Sequence, residues 1–126
     1  MNQDRNNGSA SRATRRIVFV AAPGTEILDL VGPLQVFARA SDMYCRANAG
    51  ARPIYSVEVA SISSRRSLTA NCGLSFAANK TFREVRGKID TVLVAGGDAI
   101  ERNEVNGDAV RWLKKIAARS RRVRNP

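Results

Sequence analysis

Gly96, Gly97 and Asp98 end the apolar run TVLVA and are residues whose types suggest a binding site. Glycines allow a ligand to approach the backbone closely, so the N–H groups of such a turn can hold an oxyanion or a carboxylate. The same pair also serves as a plain strand-to-loop turn, and this interpretation stays open. The turn is not a recognised phosphate site, because the chain contains neither GxGxxG nor GxxxxGK[ST].

Two carboxylates, Glu26 and Asp29, follow the earlier apolar run IVFVAA. A carboxylate at this position could donate or accept a proton, or orient a nucleophile. Asp29 stands between Leu28 and Leu30, which predicts partial burial. The alternative is an ordinary acid in the first turn of a helix, where the helix dipole favours it.

The chain contains two cysteines, Cys45 and Cys72, and no histidine. Ser-His-Asp catalysis, Cys-His catalysis and His-rich zinc sites are therefore excluded within this chain. Neither cysteine has CxxC spacing or lies on a G-x-[SC]-x-G elbow. We expect structural or incidental roles for both thiols, and we predict no catalytic residue, no metal site and no cofactor.

The elements that must position these residues begin with apolar strands. Continuous apolar runs predict buried strands in RRIVFVAAPG, residues 15–24, and in IDTVLVAGG, residues 89–97. The β-branched stretch RPIYSVEVASIS, residues 52–63, predicts another strand. Two short pieces near Leu68–Ala70 and Leu74–Ala77 flank an Asn-Cys-Gly turn and predict a small hairpin.

Helical spacing of apolar residues predicts two helices between these strands. The stripes are Leu30, Leu34, Phe37 and Ala38 in the first helix, and Val110, Leu113, Ile116 and Ala117 in the second. We expect Pro33 near the start of the first helix, where its missing N–H costs nothing. Asp108 is predicted to be the N-cap of the second helix, and RRVRNP begins like a further strand.

Alternating strands and helices predict an α/β fold with a doubly wound, mostly parallel sheet. Ligands of such sheets bind beyond the carboxyl ends of the strands. Two turns occupy that edge, APGTEILD at residues 22–29 and AGGDAIE at residues 95–101. The sequence therefore predicts that Asp29 and Gly96–Gly97 converge on one pocket.

The net charge of +10 is concentrated at the ends of the chain. Residues 109–126 contain seven basic residues and no acidic one, whereas residues 17–108 contain ten of each. Basic ends of this kind bind polyanions weakly and without sequence preference, so we predict no specific nucleic-acid partner.

Residues 1–14 are polar and predict a disordered leader. No apolar run approaches the ~20 residues of a membrane span, and no signal pattern is present, which favours the cytoplasm.

Five segments, in this order, resemble the ThiJ/PfpI superfamily of class I glutamine amidotransferase-like proteins. They are RRIVFVAAPGTEILDLVGPLQVFARA, YSVEVAS, LTANCGLSFAANKTF, IDTVLVAGGD and AVRWLKKIAARSRRV, from about Arg15 to Val123. The segments LDLxGPxxVF and AGGD carry most of the likeness. Within the superfamily, the sequence is most similar to the amino-terminal sensor domain of GlxA-type, AraC-family transcription regulators.

This resemblance implies a flavodoxin-like fold and a set of site residues. In the family's enzymes an acid after the first strand lies beside a nucleophilic cysteine, and a Gly-Gly turn supplies oxyanion donors. Asp29 matches the acid, and Gly96 and Gly97 match the donor turn. The family's nucleophile lies on an elbow after the next strand, but here the chain reads RRVRNP and ends. We therefore expect residues 15–126 to be the front portion of the domain, in a truncated, split, frame-disrupted or deliberately short chain.

The expected function is that of a ligand-sensing fragment of an AraC-family regulator. A small carboxylate- or amide-bearing metabolite would bind near Asp29, Gly96, Gly97 and Asp98, and a helix-turn-helix domain absent from this chain would bind DNA. The alternative is a fragment of a superfamily enzyme, a hydratase, a glyoxalase-like lyase or an amidase, that lacks its nucleophile. A third interpretation is an interaction protein whose exposed sheet edge pairs with a second copy, as a homodimer, or with another partner.

Overall fold

The computed structural model describes residues 13–102 and 104–124. The strands are β1 (Arg15–Ala21), β2 (Tyr55–Ser61), β3 (Ser67–Thr69), β4 (Ser75–Ala77), β5 (Lys80–Thr81), β6 (Thr91–Val94) and β7 (Arg122–Arg124). The helices are α1 (Ile27–Ala47), α2 (Asp98–Glu101) and α3 (Gly107–Arg119), with one 3₁₀ turn at Phe82–Glu84. Most of the predicted leader, residues 1–12, lies outside the described residues.

The main sheet has the strand order β5-β2-β1-β6-β7, and each neighbouring pair is parallel. The strands β3 and β4 form a separate antiparallel hairpin. The predicted parallel α/β sheet and the predicted hairpin are therefore both confirmed. Within the described ranges, no helix is long and apolar enough to span a lipid bilayer.

The central strand β1 supplies side chains to two hydrophobic cores. Its residues 17–21 are at most 1% exposed, as a strand covered on both faces must be. Ile17 and Phe19 pack in the core that contains Leu30 of α1, whereas Val18 and Val20 pack in the core that contains Ala109 of α3. The two helices thus cover opposite faces of the sheet, which is the doubly wound arrangement.

Several local predictions were wrong in their details. Helix α1 begins at Ile27, so Pro33 lies in its second turn and not at its start. The N-cap of α3 is Asn106, whose side chain accepts a hydrogen bond from the Asp108 N–H at 2.7 Å. The Asp108 carboxylate instead pairs with Arg83 and Arg111.

Other elements were not predicted or differ in burial. Strand β5 has two residues and exists only through its pairing with Ala60 and Ser61. The short helix α2 follows the Gly96–Gly97 turn directly. Ala38, predicted on the buried stripe of α1, is exposed, and the buried position nearby is Ser41, whose hydroxyl donates to the Tyr55 carbonyl.

Candidate functional site

The turns after β1 and β6 are joined by three hydrogen bonds. The Glu26 N–H donates to the Gly96 carbonyl at 2.9 Å, and the Asp98 N–H donates to the Gly24 carbonyl at 3.2 Å. The buried Thr25 hydroxyl also donates to the Gly96 carbonyl, at 3.2 Å. Parallel strands bring their carboxyl ends to one edge. The predicted meeting of the two turns at this edge is confirmed, whereas a pocket shared by Asp29 and Gly96–Gly97 stays a prediction.

Asp29 lies against Gly96 at this edge. A Cβ atom added to Gly96 would lie 3.1 Å from Oδ2 of Asp29, closer than ordinary side-chain contacts. Asp29 is half-buried in the first turn of α1, where the helix dipole stabilises a negative charge. Its carboxylate forms no hydrogen bond or ion pair with any residue that the structure describes, so its oxygens are available to a ligand.

Close packing between the backbones of the two turns explains why residue 97 is glycine. A Cβ atom there would lie 2.6 Å from the Gly24 carbonyl oxygen and 2.7 Å from Thr25 Cα, so only glycine fits. On the other side of the same contact, Gly24 adopts a φ of 78° and lies against the Asp98 carboxylate. Both glycines are required by the join between the turns, whether or not a ligand binds.

The amides of Gly96 and Gly97 are unused donors at this edge. Ala95 continues the sheet, since its N–H donates to the Val20 carbonyl at 3.0 Å. The next two N–H groups, of Gly96 and Gly97, donate to no acceptor in the described ranges 13–102 and 104–124. Buried backbone donors are almost always paired, so these half-buried and buried glycines present two amides suited to an acceptor on a ligand.

The β3–β4 hairpin closes over the β1 turn, which sequence reasoning missed. The Gly24 N–H donates to the Thr69 carbonyl at 2.9 Å, and the Asn71 N–H donates to the Thr25 carbonyl at 3.0 Å. The hairpin itself was predictable from its turn residues, but its position depends on tertiary packing. The exposed Cys72 follows Asn71 in the turn of this hairpin.

Asp29 and Asp98 differ from Glu84 and Asp108 in their partners. Arg66 donates to Glu84 and, with the Thr81 N–H, lowers the pKa of Glu84 to about 2. Arg83 and Arg111 likewise lower the pKa of Asp108. Asp29 and Asp98 have no such cation among the described residues, so they remain able to pair with a ligand.

The other candidates from the sequence lie apart from these contacts or form no site. The Cys45 thiol lies on α1, half-buried, 3.7 Å from the Ala51 carbonyl oxygen. Among the residues described, no group of three or more Cys, Asp or Glu side chains is placed to hold a metal ion. A cavity of about 240 Å³ lies at the carboxyl edge, between Pro23 of the β1 turn, Ser63 after β2 and Ala99 of α2.

Comparisons with known proteins agree with this fold. Residues 15–124 match the sequence profile of the DJ-1/PfpI family. The fold is similar to that of oxidized DJ-1 from Toxoplasma gondii, with a TM-score of 0.70, 18% identity, and coverage of 89% of this chain and 55% of that one. It is also similar to a ThiJ/PfpI family protein from Pseudomonas syringae, with a TM-score of 0.72, 17% identity, and coverage of 96% and 45%.

A third similar structure is that of a candidate transcriptional regulator from Vibrio parahaemolyticus. Its TM-score is 0.67 at 16% identity, and the likeness covers 89% of this chain and 56% of that one. The chain thus spans about half the length of the solved structures that it resembles. A comparison with curated proteins found no match.

Proposed function

Because the chain belongs to the DJ-1/PfpI family, we propose that the joined β1 and β6 turns bind a small metabolite and that this binding regulates transcription. The observation that carries the proposal is the contact of Asp29 with Gly96. It places a carboxylate without a described partner beside a turn with two unused N–H groups. Acceptors and donors thus lie together at one edge, which is the composition of a polar ligand site.

The charges favour an amide over a carboxylate as the recognised group. A carboxylate ligand at the Gly96 and Gly97 amides would face Asp29 and Asp98, and like charges at close range repel. A primary amide has both halves of the required pattern: its carbonyl accepts from the backbone N–H groups, and its NH₂ donates to Asp29. We therefore propose an amide-bearing metabolite of the size of an amino acid.

The regulatory part of the proposal follows from the sequence. The LDLxGPxxVF and AGGD segments are most like those of GlxA-type, AraC-family regulators, and one similar fold is that of a candidate transcriptional regulator. In this proposal the matched residues 15–124 sense the ligand in the cytoplasm. DNA recognition is provided by a helix-turn-helix domain outside them.

Thermal unfolding in the presence of matched amide and carboxylate pairs tests the ligand class. We expect glutamine, asparagine or nicotinamide to raise the Tm, because a ligand bound only by the folded state stabilises it. Glutamate, aspartate and nicotinate should raise it less. Asp29→Asn should abolish the amide shift, whereas Asp42→Asn, on the exposed surface of the same helix, should preserve it.

Two outcomes would contradict this function. Equal rises in Tm with amide ligands in Asp29→Asn and in the unsubstituted protein would show that the ligand does not bind at the β1 and β6 turns. Hydrolysis or other turnover of an amide, lost in Asp29→Asn, would favour the enzyme alternative. Transcript profiling of host cells that carry Asp29→Asn or Asp42→Asn at equal abundance tests the regulatory part, and we expect changes only with Asp29→Asn.

A further inference from the structure

Two adjoining cavities lie at the amino-terminal edge of the sheet, opposite the edge described above. Their volumes are about 550 Å³ and about 560 Å³. The first lies between residues 85–89 and helix α3, and the second between residues 13–16, 88–90 and 119–121. They share Lys88, Ile89, Arg119 and Ser120, so together they form one depression, which we call the amino-edge groove.

The amino-edge groove carries positive charge without compensation. The cations that line its first cavity are Arg86, Lys88, Lys115 and Arg119, and this lining contains no acid. The acid on the second cavity is Asp90, which accepts hydrogen bonds from Arg121 at 2.9 and 3.3 Å. The hydrogen bonds from Arg121 lower the pKa of Asp90, so the negative charge of Asp90 is already paired with Arg121. The side chains of Lys88, Lys115 and Arg119 form no hydrogen bond or ion pair with any other described residue.

One wall of the groove is apolar and aromatic. Ile89 is 5% exposed, and Ile116 and Trp112 of α3 are half-buried beside it. The Trp112 ring packs on Phe82 with 5.8 Å between ring centroids, which fixes the indole in place. The indole N–H donates to no described residue. Since the described residues include no buried polar side-chain atom without a partner, this N–H is open to solvent.

We propose that the amino-edge groove binds a small organic anion that has an aromatic body and a carboxylate or phosphate group. Each cavity has the volume of a small-molecule site, about 300–1,000 Å³. Lys88, Lys115 and Arg119 hold the anionic group, for which ammonium and guanidinium groups are the usual partners. The anion also relieves the repulsion among these cations. Ile89 and Trp112 pack against the aromatic body.

The groove is separate from the site proposed at the β1 and β6 turns. It lies at the opposite ends of the same strands, and its unpaired side chains are positively charged, whereas those at the turns are carboxylates. It also differs from a nucleic-acid track, because its cations surround a cavity with one aromatic wall and do not alternate with several stacking residues. Asp29→Asn should therefore leave binding in the groove unchanged, and the two proposals can fail independently.

Trp112 provides a local reporter, because it is the only tryptophan in the chain. We expect phenyl phosphate and benzoate to change its emission saturably when excitation is restricted to the tryptophan band. Inorganic phosphate, which lacks the apolar body, and phenol, which lacks the charge, should each bind about tenfold more weakly or worse. Equal binding of inorganic phosphate and phenyl phosphate would overturn the proposal.

Lys115→Glu and Lys114→Glu form a matched pair for this titration. Both residues are exposed on α3, but only Lys115 lines the groove. Lys115→Glu should weaken phenyl phosphate by about tenfold or more, since a charge-assisted contact becomes a repulsive one. Lys114→Glu should change the affinity by about twofold at most in physiological salt, because solvent screens it.

An equal loss of affinity for phenyl phosphate in Lys115→Glu and Lys114→Glu would show that the anion is attracted to the charged surface in general, and it would overturn the proposal. Tighter binding of a single-stranded oligonucleotide than of phenyl phosphate, with the same Lys115 dependence, would overturn it in favour of nucleic acid. Unchanged circular dichroism and Tm in both variants exclude a folding defect. If Lys115→Glu lowers the Tm, Lys115→Gln replaces it, with a smaller loss of affinity expected in the same direction.

Discussion

At the scale of single residues, Gly97 is required by space at the join between the two turns. Replacing it by Ala would place a Cβ atom 2.6 Å from a backbone oxygen and 2.7 Å from a backbone carbon, so the turns must move apart. We expect Gly97→Ala to lower the free energy of unfolding by about 1–3 kcal/mol, the usual cost of overpacking. Urea denaturation measures this change.

Gly32→Ala is the matched control for that substitution. Gly32 lies inside α1, and a Cβ atom added there would meet nothing within 4 Å. The change should raise the free energy of unfolding by about 0.5–1 kcal/mol, because alanine loses less conformational entropy than glycine in a helix. A Gly97→Ala protein as stable as Gly32→Ala would contradict the close approach of the turns.

Individual site residues were predictable where strand ends dictate their position. Asp29 and Gly96 each follow a strongly apolar run, and parallel pairing alone brings such residues together. Thr25 and Asn71 were not predictable as partners, because the hairpin that carries Asn71 reaches Thr25 through tertiary packing. No spacing in the sequence indicates this contact.

At the scale of the elements, Glu84 joins the 3₁₀ turn to the segment before β3. Its carboxylate accepts from the Thr81 N–H at 2.9 Å and from Arg66 Nη2 at 2.6 Å. The hydrogen bond from Arg66 is the largest cause of the lowering of the Glu84 pKa, from 4.5 to about 2. Since the folded-state pKa lies below the unfolded one, the carboxylate stabilises the fold above pH 4.5, and this stabilisation is lost as the pH falls to about 2.

Glu84→Gln should therefore be less stable than the unsubstituted protein at pH 6, and the difference should shrink towards pH 2. Urea denaturation at several pH values measures it. Glu104→Gln is the control, because the exposed Glu104 side chain pairs with no described residue. Glu104→Gln should change the free energy of unfolding little at pH 6, because it breaks no described contact. A pH-independent difference for Glu84→Gln would contradict the depressed pKa.

Long elements were predictable from the sequence, and short ones were not. The strands β1 and β6 have continuous apolar runs, and the helix α3 has apolar residues at helical spacing, so each pattern favours the element that forms. Strand β5 has two residues, and only its pairing with β2 defines it. The cap of α3 was misassigned because Asn106 and Asp108 are both good capping residues, two positions apart, and the choice depends on where the helix begins.

At the scale of the whole molecule, the parallel sheet separates two surfaces of opposite character. Its carboxyl edge presents the Asp29 and Asp98 carboxylates, and its amino edge presents Lys88, Lys115 and Arg119. Because every main strand runs in the same direction, residues after the strands and residues before them are separated by the length of the strands. The net charge of +10 therefore does not spread evenly over the fold, and it does not by itself indicate a nucleic-acid partner.

The remaining cations of α3 and β7 are exposed and should bind DNA without sequence preference. Such binding arises from counterion release, so its affinity falls steeply with salt and is equal for unrelated duplexes. Fluorescence anisotropy with several labelled duplexes, measured across a salt series, tests this expectation. Lys114→Glu should lower the affinity for all duplexes alike, although it should leave the binding of phenyl phosphate in the amino-edge groove nearly unchanged. A preference for one duplex that persists at high salt would require contacts with the bases and would contradict this expectation.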